Sequence, residues 1–196
     1  KDNIKHSPFA MPDLQASEAA EALLEGKMKE TDSLGGIIEC VVSGMPVGIG
    51  EPVFEKLDAN LAKAILSIGA VKGIEFGSGF EVASMSGSED NDSFHYNDKG
   101  DLKKLTNHAG GILGGMSDSS EIVFRAAIKP TPSIAKMQNT INKAGENIQI
   151  NIKGRHDPII VPRAVVVVEA MTAVTLVDMI FMSITSKMDR LVKFFQ

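Results

Sequence analysis

Residues 154–171, GRHDPIIVPRAVVVVEAM, form the stretch from which the fold of this chain can be read most directly, and we call it the RHDP stretch. An arginine, a histidine and an aspartate stand side by side at positions 155–157, and Pro158 biases the residue before it toward an extended conformation. Pro162 precedes a long apolar run, a position that suits the first turn of a helix, where the missing N–H costs nothing. The stretch therefore predicts a stiff polar loop that leads into a buried helix. The unpaired N–H groups at the start of such a helix favour a nearby anion.

Composition and charge restrict the partners of the chain. The 196 residues carry a formal net charge of −5, which argues against nucleic acid as the main partner. Trp is absent and Tyr occurs once, so aromatic platforms for base stacking are not expected. Cys40 is the only cysteine and cannot form an internal disulfide, which fits a reducing compartment and predicts a cytoplasmic protein.

One apolar run, residues 164–182, is long enough to be considered as a membrane span. Glu169 and Asp178 interrupt it, and a charge at the centre of a bilayer costs about 2.5–3.5 kcal/mol or more. We therefore expect no membrane partner and predict a helix buried in a core or in a subunit interface. The sequence begins at Lys1 rather than at a methionine, which indicates either the removal of residues or the later part of a longer protein.

The spacing of apolar residues divides the chain into helices and strands. A helical period predicts helices over 16–29, 54–67, 162–184 and, as an amphipathic tail, 187–196. Apolar runs predict strands over 37–43, 121–129 and 147–153, and a strand, a turn and a second strand over 71–85. The helices and strands alternate without the rhythm of a parallel sheet, so they indicate an α+β or α/β fold.

The polar run 86–106 predicts a long, mobile surface loop. Its aspartates Asp90, Asp92 and Asp98 lack both the spacing and the terminal glutamate of a calcium-binding loop. No metal site is therefore expected here.

Two further stretches have the composition of a binding site. The glycine-rich segment, NHAGGILGG at residues 107–115, lets the backbone approach another backbone or a flat ligand, with tight packing as the alternative. The KPTPS segment, residues 129–133, is stiffened by two prolines and offers a cation at Lys129 and hydroxyls at Thr131 and Ser133. Such donors suit a phosphate or a ring carbonyl, and an exposed turn is the alternative.

Five separated motifs together resemble the chorismate synthase family. They are, in chain order, GIIECVVSGMPVGIGEPVFEKLDANLAKAI, SIGAVKGIEFGSGF, NHAGGILGG, KPTPS and the RHDP of residues 155–158. The resemblance implies an α+β fold, the family's β-α-β sandwich, in which long central helices are packed between antiparallel sheets. It also implies a single domain over residues 1–196 and a homotetramer when the protein is full length.

The resemblance implies a carbon–oxygen lyase. Members of the family convert 5-enolpyruvylshikimate 3-phosphate to chorismate and phosphate by a 1,4-anti elimination, the last common step of the shikimate pathway toward aromatic amino acids. The reaction needs reduced FMN (FMNH2) without net redox change, and NADP is also associated with the family. The flavin supplies the chemistry of the difficult step, while the protein binds the flavin, orients it and adjusts its electronic properties. No reductase-like region is visible, which favours external reduction of the flavin over reduction by the protein itself.

Carried over residue by residue, the resemblance implies flavin contacts at Gly69, Ala70, Gly114, Lys129, Pro130, Thr131, Pro132, Ser133 and Arg155. Gly69 stands where some members carry asparagine, so only a backbone contact is expected there. The resemblance implies catalytic roles for Asp157, in proton relay to or from the flavin ring, and for Arg155, on the anionic substrate. His156 is the third catalytic candidate, with an oriented structural histidine as its alternative.

The family's N-terminal half supplies two catalytic histidines, a serine-rich flavin segment and several substrate-binding arginines, and these motifs are not matched here. We therefore expect the C-terminal part of a chorismate synthase, with little or no activity by itself. One alternative is a non-catalytic module that binds flavin or phosphate. Another is an oligomerisation domain, for which Asp157→Ala would change neither FMN affinity nor turnover.

Overall fold

The computed structural model describes residues 2–100, 102–154 and 156–196. The α-helices assigned within these ranges are α1 (Leu14–Lys29), α2 (Leu57–Leu66), α3 (Gly87–Asp90), α4 (Val161–Ile184) and α5 (Met188–Phe195). The strands are β1 (Gly36–Val42), β2 (Val71–Phe76), β3 (Phe94–Tyr96), β4 (Leu102–Lys104), β5 (Ile112–Leu113), β6 (Met116–Ser117), β7 (Ile122–Ile128), β8 (Gln138–Ile141) and β9 (Asn147–Ile150). Short 3₁₀ helices lie at Asp2–His6 and Gly79–Ser84. This mixture of helices and sheets confirms the predicted α+β class.

The strands form one three-stranded sheet, in the order β1-β7-β2, and three antiparallel hairpins. The hairpins are β3–β4, β5–β6 and β8–β9. The backbone divides into two compact units. The first unit comprises the residues up to Ile37 together with Ala127–Val166, and the second comprises Ile38–Ala126 together with Val167–Gln196. One domain over residues 1–196 stays a prediction.

The first unit contains α1, the β8–β9 hairpin and the start of the RHDP stretch. Helix α1 begins after Asp13, whose Oδ1 atom accepts hydrogen bonds from the backbone N–H groups of Gln15 at 2.9 Å and Ala16 at 3.2 Å. Such a cap satisfies donors that have no partner inside the helix. Lys27 and Lys29 lie in its last turn, where positive charge interacts favourably with the helix dipole.

The second unit holds most of the buried apolar side chains. Leu57, Leu61 and Ile65 are fully buried along one face of α2, at the helical spacing of four residues. Alternate residues of β7 are also buried, and Phe124 lies with its ring centroid 5.7 Å from that of Phe76 on β2. Each such side chain contributes about 1.5–3 kcal/mol by leaving water, so these elements fix the second unit.

Helix α4 confirms the predicted helix over 162–184 almost to the residue. One stripe of it is buried, at Val168, Thr172, Leu176, Met179 and Ser183. Other faces leave apolar side chains exposed, among them Val174 at 66% and Phe181 at 64%. By length and composition alone this helix could cross a membrane, a test that the core helices of soluble proteins also pass. Burial of its other faces in a subunit interface stays a prediction.

The structure corrects two predicted elements. The second strand expected within 71–85 is instead the 3₁₀ helix Gly79–Ser84, because Gly77 and Gly79 adopt φ values of +54° and +57° and turn the chain out of the extended conformation. Helix α2 begins at Leu57 rather than at residue 54, because Phe54 has a φ of +61°, which a right-handed helix does not allow.

The polar segment 86–106 contains α3 and the β3–β4 hairpin. Its mobility stays a prediction. The α3 turn begins with a capping box, in which the Ser86 N–H donates to Glu89 Oε2 at 2.8 Å.

Candidate functional site

A cavity of about 180 Å³ lies in the first unit, and the RHDP stretch forms part of its wall. Its lining includes Thr31, Asp32, Ser33, Ile134, His156 and Asp157. The cavity therefore combines two carboxylates, two hydroxyls and an imidazole with apolar side chains. This mixture is typical of sites that hold a largely apolar ligand and orient it through a few polar groups.

Asp157 is held by the first turn of α4. The Arg163 Nη1 atom donates a hydrogen bond of 2.7 Å to Asp157 Oδ2. The Asp157 side chain is 38% exposed and the Arg163 side chain is 72% exposed, so the pair contributes little to stability. Its consequence is orientation: one carboxylate oxygen is engaged, and Oδ1 accepts no hydrogen bond from any residue described.

His156 is oriented by the backbone that precedes it. Its Nε2 atom lies 3.0 Å from the carbonyl oxygen of Ile152. A carbonyl oxygen can only accept, so Nε2 carries a hydrogen, and in the neutral form of the ring Nδ1 is an acceptor. The imidazole on the cavity wall thus has a defined tautomer.

The KPTPS segment lies directly before Ile134 and Ala135 of the cavity wall. Thr131 stands between two prolines, which lack N–H groups, and its carbonyl oxygen accepts a hydrogen bond of 2.7 Å from Ser33 Oγ. Gln138 Nε2 donates to the carbonyl oxygen of Pro132 at 3.2 Å. The Oγ1 atom of Thr131 is itself buried, and it has no hydrogen-bond partner among the described residues.

The segment DSLGG, residues 32–36, connects the two motifs of the first unit, although no pattern in the sequence marked it as part of a site. The N–H of Leu34 donates to the carbonyl oxygen of Pro158 at 2.8 Å, and Leu34 forms a parallel bridge with Ile159. A Cβ on Gly35 would lie 2.4 Å from the carbonyl oxygen of Ile128, so only glycine allows this close approach. The adjacent glycines were the only local signal of such packing.

In the second unit, the glycine-rich segment packs closely against the end of β2. A Cβ on Gly77 would lie 1.9 Å from the carbonyl oxygen of His108, and one on Gly110 would lie 2.4 Å from the Gly77 nitrogen. Asn107 closes the turn, because its Nδ2 donates to Glu121 O and its Oδ1 accepts from Gly111 N, both at 2.8 Å. Tight packing therefore accounts for these glycines.

Gly114 differs from the other glycines of that segment. It has a φ of +60° in the turn between β5 and β6, and no heavy atom lies within 4 Å of the position that a Cβ would take. Gly69 is similarly open, and its neighbour Ala70 has a φ of +72°. The backbone at these positions is accessible to a ligand.

A buried ion cluster ties the β3–β4 hairpin to the glycine-rich segment. Lys104 pairs with Asp118 and, at 3.3 Å, with Asp92, and the three side chains are only 5–10% exposed. Asp92 Oδ1 also accepts from Thr106 Oγ1 and from the backbone N–H of His108, both at 2.7 Å. Burial by itself raises the pKa of Asp92. These hydrogen bonds and the Lys104 ammonium lower the pKa by more than burial raises it, and the result is about 2.

The residues predicted from the sequence fall into three groups. His156 and Asp157 share one cavity, and the KPTPS segment leads into its wall. Gly69, Ala70 and Gly114 belong to the second unit. Arg155 lies outside the described residues. Among the residues described, no group of three His, Cys, Asp or Glu side chains could hold a metal ion.

Fold and site together define an α+β protein whose cavity combines an ion-paired carboxylate with an oriented imidazole, and whose KPTPS segment leads into the cavity wall at Ile134. The chorismate synthase family model matches residues 1–181. The chain is 66% identical over all its 196 residues to a chorismate synthase of Lachnoclostridium phytofermentans, of which it covers 53%. It is also 62% identical to a chorismate synthase of Lachnospira eligens over 191 residues, which are 97% of this chain and 52% of that protein.

A solved crystal structure of a chorismate synthase has the same fold. The TM-score is 0.76 at 28% sequence identity, and the match covers 99% of this chain and 51% of that one. The chain belongs to the chorismate synthase family. It spans about half the length of the curated relatives that it matches.

Proposed function

We propose that these residues are part of a chorismate synthase, a lyase that eliminates phosphate from 5-enolpyruvylshikimate 3-phosphate in the presence of reduced FMN. Membership in the family supports the reaction class. The observation that supports the proposal for this chain is a cavity lined by both Asp157 and His156, and by Ile134 directly after the KPTPS segment. A cytoplasmic location, a homotetramer and the absence of membrane or nucleic-acid partners belong to the same proposal.

The described residues fit a flat, phosphate-bearing cofactor. In the first unit, the buried Oγ1 of Thr131 has no hydrogen-bond partner among the described residues, and an unsatisfied buried hydroxyl calls for a partner that these residues do not supply. Lys129 stands two residues before Thr131 in the sequence, is exposed and contributes a positive charge to the segment. In the second unit, the open backbone at Gly69 and Gly114 leaves room for a ligand. On the family resemblance we propose that each of these residues is a flavin contact, as are Ala70, the prolines and serine of the KPTPS segment and Arg155.

When bound, reduced FMN supplies the electron density on which cleavage of the carbon–oxygen bond depends. The chain contributes binding, orientation and proton handling. Asp157 keeps Oδ1 available for a proton because Arg163 engages only Oδ2. His156 offers Nδ1 as an acceptor, because Nε2–H is committed to the backbone. Arg155 is proposed to bind the anionic substrate through its guanidinium.

The test uses the intact protein with 5-enolpyruvylshikimate 3-phosphate and reduced FMN, and it measures phosphate release and chorismate absorbance. Asp157→Asn removes the proton-transfer group with little change in size, so turnover should fall about 10²–10⁴-fold. Asp178→Asn is the matched control, because Asp178 is exposed on α4 and should leave turnover unchanged. Full turnover in the Asp157→Asn variant would exclude the proposed role.

The same assay separates the alternatives. FMN binding without any turnover in the intact protein would favour a flavin-binding module. Unchanged FMN affinity and turnover in Asp157→Ala would favour an oligomerisation domain. We also propose that residues 1–196 by themselves have little or no activity, and normal turnover by this chain alone would contradict that.

A further inference from the structure

We infer that Ser33 is a positioning residue that fixes the KPTPS segment in the conformation in which it binds flavin, an inference that rests on the proposed function. Ser33 is not among the residues that the family resemblance assigns to the site. Its role follows from a contact between two segments that are 98 residues apart in the chain.

The KPTPS segment cannot be held by a regular strand ladder. Two of its five residues are prolines, which have no N–H to donate, so its conformation depends on donors from elsewhere that reach its carbonyl groups. Ser33 Oγ supplies such a donor to Thr131 at 2.7 Å, at the centre of the segment. The Ser33 side chain can do so reliably because the residue is only 9% exposed, where water competes little.

The backbone of Ser33 is fixed on both sides. Its own N–H donates to Asp32 Oδ1 at 2.9 Å, and Asp32 Oδ2 pairs with Lys136 at 3.1 Å, three residues beyond the KPTPS segment. The N–H of the next residue, Leu34, donates to the carbonyl oxygen of Pro158. Ser33 therefore connects the KPTPS segment to the loop that carries His156 and Asp157.

The contact also determines what Thr131 can offer. Its carbonyl oxygen accepts the hydrogen bond from Ser33, while its buried Oγ1 has no hydrogen-bond partner among the described residues. If the Ser33 hydroxyl is removed, Thr131 loses the bond that fixes its peptide plane, and its hydroxyl is no longer held toward one position. The expected effect is on cofactor affinity rather than on the chemical step.

The experiment compares Ser33→Ala with Ser117→Ala in the intact protein. Ser117 is the matched control, because it is also a buried serine whose Oγ donates to a backbone carbonyl, that of Pro46 at 2.5 Å, in the second unit. Hydrogen exchange is followed without flavin. Ser33→Ala should accelerate exchange about tenfold at the N–H of Ile152, which donates to the carbonyl oxygen of Ile134 directly after the KPTPS segment. Ser117→Ala should instead accelerate exchange at the N–H groups of Gly48 and Ile49, which donate to Ser117.

FMN titration and turnover then test the functional part. Ser33→Ala should weaken FMN binding about tenfold and leave turnover at saturating FMN unchanged, a separation that simple loss of folded protein does not produce. Ser33→Thr, which keeps the hydroxyl, should retain the parent's affinity. An equal loss of affinity in Ser33→Thr would overturn the inference, because the hydroxyl is the group in question.

The outcomes separate this inference from the proposed function. Unchanged exchange at the N–H of Ile152 in Ser33→Ala overturns the positioning role, whatever the protein catalyses. Accelerated exchange with unchanged FMN affinity also overturns it, since the segment would then not need Ser33 to bind flavin. If the parent protein binds no FMN at all, the proposed function fails instead, and the exchange result still reports on the Ser33 contact.

Discussion

Replacement of Lys104 by methionine tests how the second unit holds its glycine-rich segment. Lys104 is 5% exposed and lies between Asp92 and Asp118, which are 7% and 10% exposed. Methionine keeps most of the apolar stem but removes the charge, so two carboxylates remain buried without their cation. Breaking a buried ion pair in this way costs about 3–5 kcal/mol. That is a large share of the roughly 5–15 kcal/mol by which a folded domain is stable.

The measurement is urea unfolding of the intact protein, followed by far-UV circular dichroism because residues 1–196 contain no Trp whose fluorescence could report on the second unit. Lys103→Met is the control, since Lys103 is the neighbouring residue of β4 but is exposed. Its effect should stay within about 0.5 kcal/mol. The double variant Lys104→Met/Asp118→Asn should recover part of the loss, because it removes one uncompensated charge. If Lys104→Met costs no more than Lys103→Met, the cluster does not stabilise the hairpin and the reasoning fails.

Particular contacts lead to three further predictions. The pKa of Asp92 is about 2 in the folded chain and about 3.9 in an unfolded one, so its contribution to stability is complete above about pH 4 and is lost as the pH falls toward 2. Acid titration of the urea midpoint should show this loss, and Asp92→Asn should remove it. Gly77→Ala should destabilise the protein by more than about 2 kcal/mol, because the new Cβ would lie 1.9 Å from the carbonyl oxygen of His108. Gly26→Ala should stabilise it by about 0.5–1 kcal/mol, because Gly26 lies in α1 with open space around the Cβ position. Thermal unfolding of both variants measures these changes. Arg163→Met should change the free energy of unfolding by less than about 1 kcal/mol, because the pair is exposed, yet it should lower turnover, because Asp157 loses the group that orients it. Turnover equal to that of the parent protein would contradict an orienting role for Arg163.

Local patterns predicted the elements with a strong local signal. The spacing of Leu57, Leu61 and Ile65 predicted α2, because one buried face imposes a period on the sequence. The apolar run after Pro162 predicted α4 by its length and composition. The pattern did not predict β8, whose residues QNTI are mostly exposed and polar. It also misassigned residues 79–84, where the backbone conformation of two glycines decides the structure.

The candidate site was predicted in part. The composition of the RHDP stretch and of the KPTPS segment predicted that both belong to a binding or catalytic site. In the structure, His156 and Asp157 share a cavity. No sequence pattern indicated that Arg163 would engage Asp157 or that Ser33 would engage Thr131. These contacts depend on single hydrogen bonds between side chains and distant groups, and such bonds leave no period or spacing in the chain.

The amino-acid sequence by itself determined the α+β class, the long apolar helix and membership in a family, because these depend on burial patterns and on motifs that are continuous along the chain. Only the tertiary structure decided that Lys104 is buried between two carboxylates and that the Thr131 hydroxyl has no partner among the described residues. The physical reason is that the charge state and hydrogen bonding of a polar group are set by which groups surround it after folding. Residues far apart in sequence supply those surroundings, and a chain read in order does not reveal them.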